Sequence, residues 1–255
     1  MSPSIDLNVD MGESFGRWKL GDDAAMMPYV SSVNIACGFH AGDPATMRET
    51  VGHAVEHGVA IGAHVGFPDL WGFGRRRIAV SAEEVRDYCT FQIGALGAFV
   101  TAACSELRHV KPHGALYGMV SSDPELAGAV AEAMAAVTPG LPLMLLNDSI
   151  AEAVAAHGVP LVTEGFPDLD YQADGTLVIE RVKVARDPEQ VAARAVRLVR
   201  EGTIEALDGS VLEVAAATAC IHGDAPNSVE IARVVRARLD AEGIAVAPVF
   251  PASGA

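Results

Sequence analysis

The feature that most constrains the fold is an alternation of short apolar strands and helical stretches running the length of the chain. Seven candidate strands recur: "SIDLNVD" (4–10), "SVNIACGFH" (32–40), "VAIGAH" (59–64), "HVKPHG" (109–114), "LPLMLLN" (141–147), "PLVTEG" (160–165) and "ATACIHGD" (217–224). Between most of them lie segments rich in Ala, Val, Leu and Arg. Asp43-Pro44, Asp123-Pro124 and Asp187-Pro188 each set a capping carboxylate before a proline suited to a first helical turn, and Ser81 with Glu84 fits a capping box. Gly58, Gly158 and Gly243 stand where helices should stop. Strand–helix alternation implies βα units and a parallel sheet. Seven strands without a glycine-rich nucleotide fingerprint favour a closed (β/α) barrel over an open doubly wound sheet. No composition shift marks a linker, so residues 1–255 are expected to form a single domain.

Strand parity then assigns faces, because side chains two apart point the same way. In the first strand Ile5, Leu7 and Val9 share one face, and Asp6, Asn8 and Asp10 the other. The second gives Asn34, Ala36, Gly38 and His40 on one parity if it runs that far. The third gives Ala60, Gly62 and His64, and the fourth Lys111 and His113. Val162 and Glu164 follow on the sixth, and Thr218, Cys220 and His222 on the seventh. The small and polar set is expected to point into the barrel and to end in an acid or a histidine on strand after strand. Carboxyl ends of barrel strands are where active sites are built.

Composition narrows the chemistry. Half of the 255 residues are hydrophobic, enough for a sizeable core, and the net charge of −15 argues against a nucleic-acid surface. Cys37, Cys89, Cys104 and Cys220 are far apart and form no CxxC pair, so neither a structural zinc site nor a disulfide framework is expected. No signal segment or membrane span is recognisable, which makes the cytoplasm the expected compartment and a membrane an unexpected partner. The three lysines, Lys19, Lys111 and Lys183, lie outside any P-loop context, and neither GxGxxG nor GxSxG opens a helix. Histidines and carboxylates without a nucleophile motif point to general acid–base or metal-assisted hydrolysis.

Asp10, His40 and His64 offer a carboxylate–imidazole set that could hold zinc or a similar divalent ion. They serve equally well as metal-free acid–base groups. "GFGRRR" (72–77) supplies Arg75 and Arg76, either of which could clamp a carboxylate or phosphate bidentately. In "VKPHGALY" (110–117), Lys111 is a charge in a buried-looking strand. It is read either as a catalytic cation or as the ion-pair partner of Asp10 or Glu164.

Seven segments, in order along nearly the whole chain, resemble the LamB/YcsF family: "DLNVDMGESFG" (6–16), "NIACGFHAGDP" (34–44), "AHVGFPDLWGFGRR" (63–76), "VKPHGALY" (110–117), "EGFPDLDY" (164–171), "DGTLV" (174–178) and "IHGDAPNSVEIAR" (221–233). The resemblance implies a seven-stranded barrel of the glycoside hydrolase/deacetylase type. It also implies a part in an ATP-dependent 5-oxoprolinase, which opens 5-oxo-L-proline (pyroglutamate) to L-glutamate together with partner subunits B and C. ATP binding would then enter through the complex, consistent with the missing nucleotide motif. Assembly with further copies of the chain is compatible with this reading. The chain departs from the family pattern at Val65, Gly118, Leu169, Ile179 and Glu180; the absence of an arginine at 169 either removes a contact to a substrate carboxylate or is compensated elsewhere, which leaves a related lactam or cyclic amide open as substrate. On this reading Asp10, His40, His64, Lys111 and His113 are the expected catalytic groups, and Asn8, Glu13, Arg75, Arg76, Glu164 and His222 the expected substrate contacts. The rival readings are a metal-dependent amide or carbohydrate deacetylase on the same barrel, and a protein that binds a lactam without turning it over.

Overall fold

In a computed structural model that describes residues 3–180 and 182–249, seven parallel strands close into a barrel. They are β1 (Ser4–Met11), β2 (Ser32–Ala36), β3 (Ala60–Val65), β4 (Leu107–Pro112), β5 (Leu143–Leu145), β6 (Leu161–Gly165) and, after a two-stranded hairpin, β9 (Thr218–His222). Each pairs with the next, and β9 pairs with both β6 and β1 to complete the circle. The hairpin strands β7 (Thr203–Glu205) and β8 (Val211–Glu213) run antiparallel outside the barrel. A two-residue strand, β10 (Ala245–Val246), adds to the start of β1. Among the described residues no helix is long and apolar enough to cross a membrane.

Between the strands run α1 (Asp23–Met26), α2 (Pro44–His57), α3 (Ala82–Ala102), α4 (Gly114–Val120), α5 (Pro124–Val137), α6 (Ala151–Ala155), α7 (Pro188–Glu201) and α8 (Ser228–Ala241). Their ends follow local chemistry. The carboxylates of Asp43, Asp123 and Asp187 accept backbone N–H bonds at the starts of α2, α5 and α7, each before a proline. Ser81 and Glu84 complete a reciprocal capping box on α3. Gly58, in the left-handed region at φ 66°, closes α2.

The apolar core lies outside the barrel. Ile5, Leu7, Val9, Val33, Ile35, Ile61, Val110 and Ile221 are buried against helix residues such as Val51, Ile93, Leu96, Val130 and Val235. Each such aliphatic side chain contributes about 1.5–3 kcal/mol of burial. The lumen, by contrast, is polar: Asp6, Asn8, Asn34, His109, Lys111, Glu164 and Thr218 are all almost completely buried. A buried ionic interior adds little net stability. The shell between strands and helices holds the fold, and the lumen is free to carry chemistry.

Candidate active site

The lumen is built in layers, each from strand residues of one parity. At its floor the Asp6 carboxylate accepts hydrogen bonds from the hydroxyls of Ser31, Ser32 and Thr218. Above it the Asn8 amide donates to Glu164 Oε1 and Thr218 Oγ1 at 2.7 Å. Asn34 Nδ2 donates to Asn8 Oδ1 and Asp10 Oδ1. His109 Nε2 lies 2.6 Å from Asn34 Oδ1 in space that Gly62 leaves open, since a Cβ there would meet the imidazole at 2.0 Å. Burial, with Lys111 and His64 nearby, pushes His109 down to about 3, so it is neutral.

Lys111 crosses the next layer. Its Nζ lies 3.0 Å from Asp10 Oδ1, 3.1 Å from Glu164 Oε1 and 2.9 Å from Cys220 Sγ. Burial alone would lower its pKa, but Asp10, Cys220 and Glu164 together hold it well above the usual lysine value. Burial would likewise raise Asp10, yet His64 and Lys111 reverse the effect and keep its carboxyl well below the usual range. The result is a fixed ammonium beside a fixed carboxylate. Tyr117 donates to the second oxygen of Glu164 at 3.1 Å, closing the network.

Four side chains cluster above Asp10. His64 Nε2 is 3.3 Å from Asp10 Oδ2 and 2.9 Å from His113 Nδ1. Glu13 Oε1 is 3.4 Å from His40 Nε2 and 3.6 Å from His113 Nδ1. The His40 and His113 rings stack with centroids 3.8 Å apart. Burial raises Glu13 well above the ordinary carboxyl value, with Asp10 and Asp224 adding repulsion. Burial lowers His40 and His113 well below the ordinary imidazole value, with the neighbouring imidazoles and Arg75 adding to the effect. This buried His/Glu cluster could bind a metal ion, because the four side chains bring one ligand atom each to within 4.8 Å of one another.

A pocket opens over these groups, lined by Asp10, His64, Lys111 and His113 on one side and by Arg75, Lys183, Phe166, Leu169, Ile179 and His222 on others. Arg75 donates to Asp224 Oδ2 at 2.7 Å and to the Glu180 carbonyl, and its guanidinium lies over the Phe73 ring. His222 is set by Asp168, which accepts from its backbone N–H and lies 3.0 Å from its Nδ1.

Several expected placements change. β2 ends at Ala36, so His40 is carried by a loop rather than by strand parity; Gly38, at φ 93°, turns the chain there. Arg76 does not line the pocket: it pairs with Asp69 and is largely exposed, leaving Arg75 as the pocket arginine of the pair. Asn8 and Glu164 do not line it either; they lie beneath Lys111 and support it. Glu13 and His40 stand behind the lining, and the gathered His/Glu cluster comprises Glu13, His40, His64 and His113, whereas the sequence pointed to Asp10, His40 and His64. Residues not singled out from sequence include His109, Tyr117, Phe166, Asp168, Lys183 and Asp224. His109 shares strand parity with Lys111, and that signal was available. Asp168 and Asp224 lie on loops, where parity says nothing.

Comparison with known proteins agrees with the fold and the segments that build the site. The model of the LamB/YcsF family matches residues 5–253. The A subunit of the 5-oxoprolinase of Bacillus mycoides (strain KBAB4) is 47% identical over 247 residues, covering 95% of this chain and 97% of that protein. Its counterpart from Bacillus cereus (strain ATCC 14579), also named as the A subunit of 5-oxoprolinase, is 48% identical over 247 residues, covering 95% and 98%. Among solved structures, the lactam utilization protein from Thermus thermophilus superposes with a TM-score of 0.88 at 48% identity, covering 97% of this chain and all of that one. The chain belongs to the LamB/YcsF family.

Proposed function

We propose that this chain is the barrel component of a cytoplasmic, ATP-dependent 5-oxoprolinase, and that its pocket opens the lactam of 5-oxo-L-proline to give L-glutamate. The observation that carries the reading is a carboxylate held ionised in a buried setting, Asp10, with Lys111 on one side and His64 on the other. The names of the similar proteins, the A subunit of 5-oxoprolinase and a lactam utilization protein, supply the substrate class.

The substrate is a small ring with an amide and a carboxylate. Arg75 and Lys183 are the pocket cations suited to the carboxylate, and Leu169, Ile179 and Phe166 make an apolar wall for the ring methylenes. Ring opening adds the hydroxyl of water to the carbonyl carbon and a proton to the ring nitrogen as the C–N bond breaks. Asp10 takes the proton from water, while the Lys111 ammonium is the cation suited to charge developing on the lactam oxygen. An amide is a poor electrophile, so ATP activation falls to partner subunits B and C. This chain lacks a nucleotide motif of its own.

The test is to incubate the chain with 5-oxoproline and ATP, with and without its partner subunits, and to measure glutamate. Glutamate released only by the full set, and lost with Asp10→Asn, supports the reading. Binding of 5-oxoproline without turnover in the full set would instead make this a non-catalytic lactam-binding protein.

A further inference from the structure

We propose that Glu13, His40, His64 and His113 form a binding site for one divalent transition-metal ion of the zinc type. The partners of the ring nitrogens fix which of them carry protons. His64 Nδ1 lies 3.0 Å from the Lys111 carbonyl oxygen, and His113 Nε2 lies 2.8 Å from that of Phe73. A carbonyl only accepts, so each of these nitrogens donates. The opposite nitrogens of the neutral rings, His64 Nε2 and His113 Nδ1, therefore both present lone pairs, and they face each other at 2.9 Å. Two lone pairs at that distance require a cation between or beside them.

A proton shared by the two rings would satisfy that pair alone. It would leave Glu13 Oε1 and both ring nitrogens of His40 buried without a hydrogen-bond partner. A metal ion accounts for more. Glu13 Oε1 and His40 Nε2 flank the same point, 3.4 Å from each other, and Glu13 Oε1 is 3.6 Å from His113 Nδ1. Three imidazoles and one carboxylate are a donor set that zinc, cobalt and nickel accept. The backbone carbonyls behind His64 and His113 fix ring orientation as outer partners of metal-bound histidines do. Asp10, 3.3 Å from His64 Nε2, adds negative potential beside the site.

The neighbouring group of Asp10, Cys220 and His222 also brings ligand atoms together. It already holds a cation, since Lys111 Nζ lies 3.0 Å from Asp10 Oδ1 and 2.9 Å from Cys220 Sγ. A second positive charge there would be repelled. The metal belongs on the histidine side.

The proposal goes beyond the ring-opening reading and is tested by metal content, so either can fail without the other. The full chain is stripped with a strong chelator, given zinc(II) or cobalt(II), desalted and analysed for bound metal. One ion per folded chain is expected, with cobalt(II) giving the visible bands of a low-coordinate nitrogen and oxygen site. Glu13→Gln and His113→Ala are expected to weaken retention by about tenfold or more, whereas Cys220→Ser keeps it. A folded wild-type chain that retains neither ion in stoichiometric amount overturns the proposal, whether or not the variants fold. So does retention unchanged in both Glu13→Gln and His113→Ala, or retention lost in Cys220→Ser alone.

Discussion

Lys111 is the residue on which the lumen balances. It lies between Asp10 and Glu164, and a buried pair that loses one member leaves an uncompensated charge. Lys111→Met is therefore expected to destabilise the chain by about 3–5 kcal/mol, measured by urea unfolding; a loss below about 1 kcal/mol would mean the network is not ionised as described. Asp10→Asn separates chemistry from folding. It retains a polar side chain and should lower glutamate release by about 10²–10⁴-fold while circular dichroism stays that of the folded barrel. The two adjacent arginines make a sharper pair. Arg75 lines the pocket and Arg76 turns out to Asp69, so Arg75→Ala is expected to raise KM for 5-oxoproline, and Arg76→Ala to leave it near wild type. The reverse order would place the carboxylate elsewhere.

At the scale of elements, the strands end before the site does. Strand parity correctly ordered Asn8, Asp10, His64 and Lys111 along the inner faces, because alternation is a property of extended backbone. The caps at Asp43, Asp123, Asp187 and Ser81 were equally legible, since each is a local bond between a side chain and the next turn. Glu13, His40 and Phe73 were harder to place, because their positions depend on loops whose paths are set by tertiary contacts. The β7–β8 hairpin leaves little trace in the sequence, because its strands are three residues each and only partly buried. Gly74 shows how tightly one such loop is specified. At φ 62° it sits where an added Cβ would meet His40 Cβ at 2.8 Å and His113 Cδ2 at 2.9 Å. Gly74→Ala should therefore displace both imidazoles and strain the backbone, costing about 1–3 kcal/mol and most of the activity. An unchanged melting temperature with full turnover would show that the loop yields.

Across the whole molecule, stability and chemistry occupy different layers. The outer shell of aliphatic contacts is insensitive to pH, while the mouth of the barrel is held by ionisable pairs. Asp168 is one of them. Burial would raise its carboxyl, but the charge and hydrogen bonds of His222 outweigh that and lower it below the ordinary 3.8. A depressed carboxyl stabilises the folded state above its ordinary value, and the contribution disappears as pH falls through the folded one. Wild-type melting temperature should thus drop more steeply than that of Asp168→Asn between about pH 5 and about pH 2; parallel curves would remove Asp168 from the acid response. Under the proposed function the barrel mouth is where the lactam is opened, in company with subunits that bring ATP. The most direct measurement is glutamate release from 5-oxoproline by the complete set of subunits, comparing wild type with Asp10→Asn in this chain. Turnover by wild type that needs ATP and every partner, and collapses in the variant with the assembly intact, is the predicted result. Equal turnover with either version would contradict it.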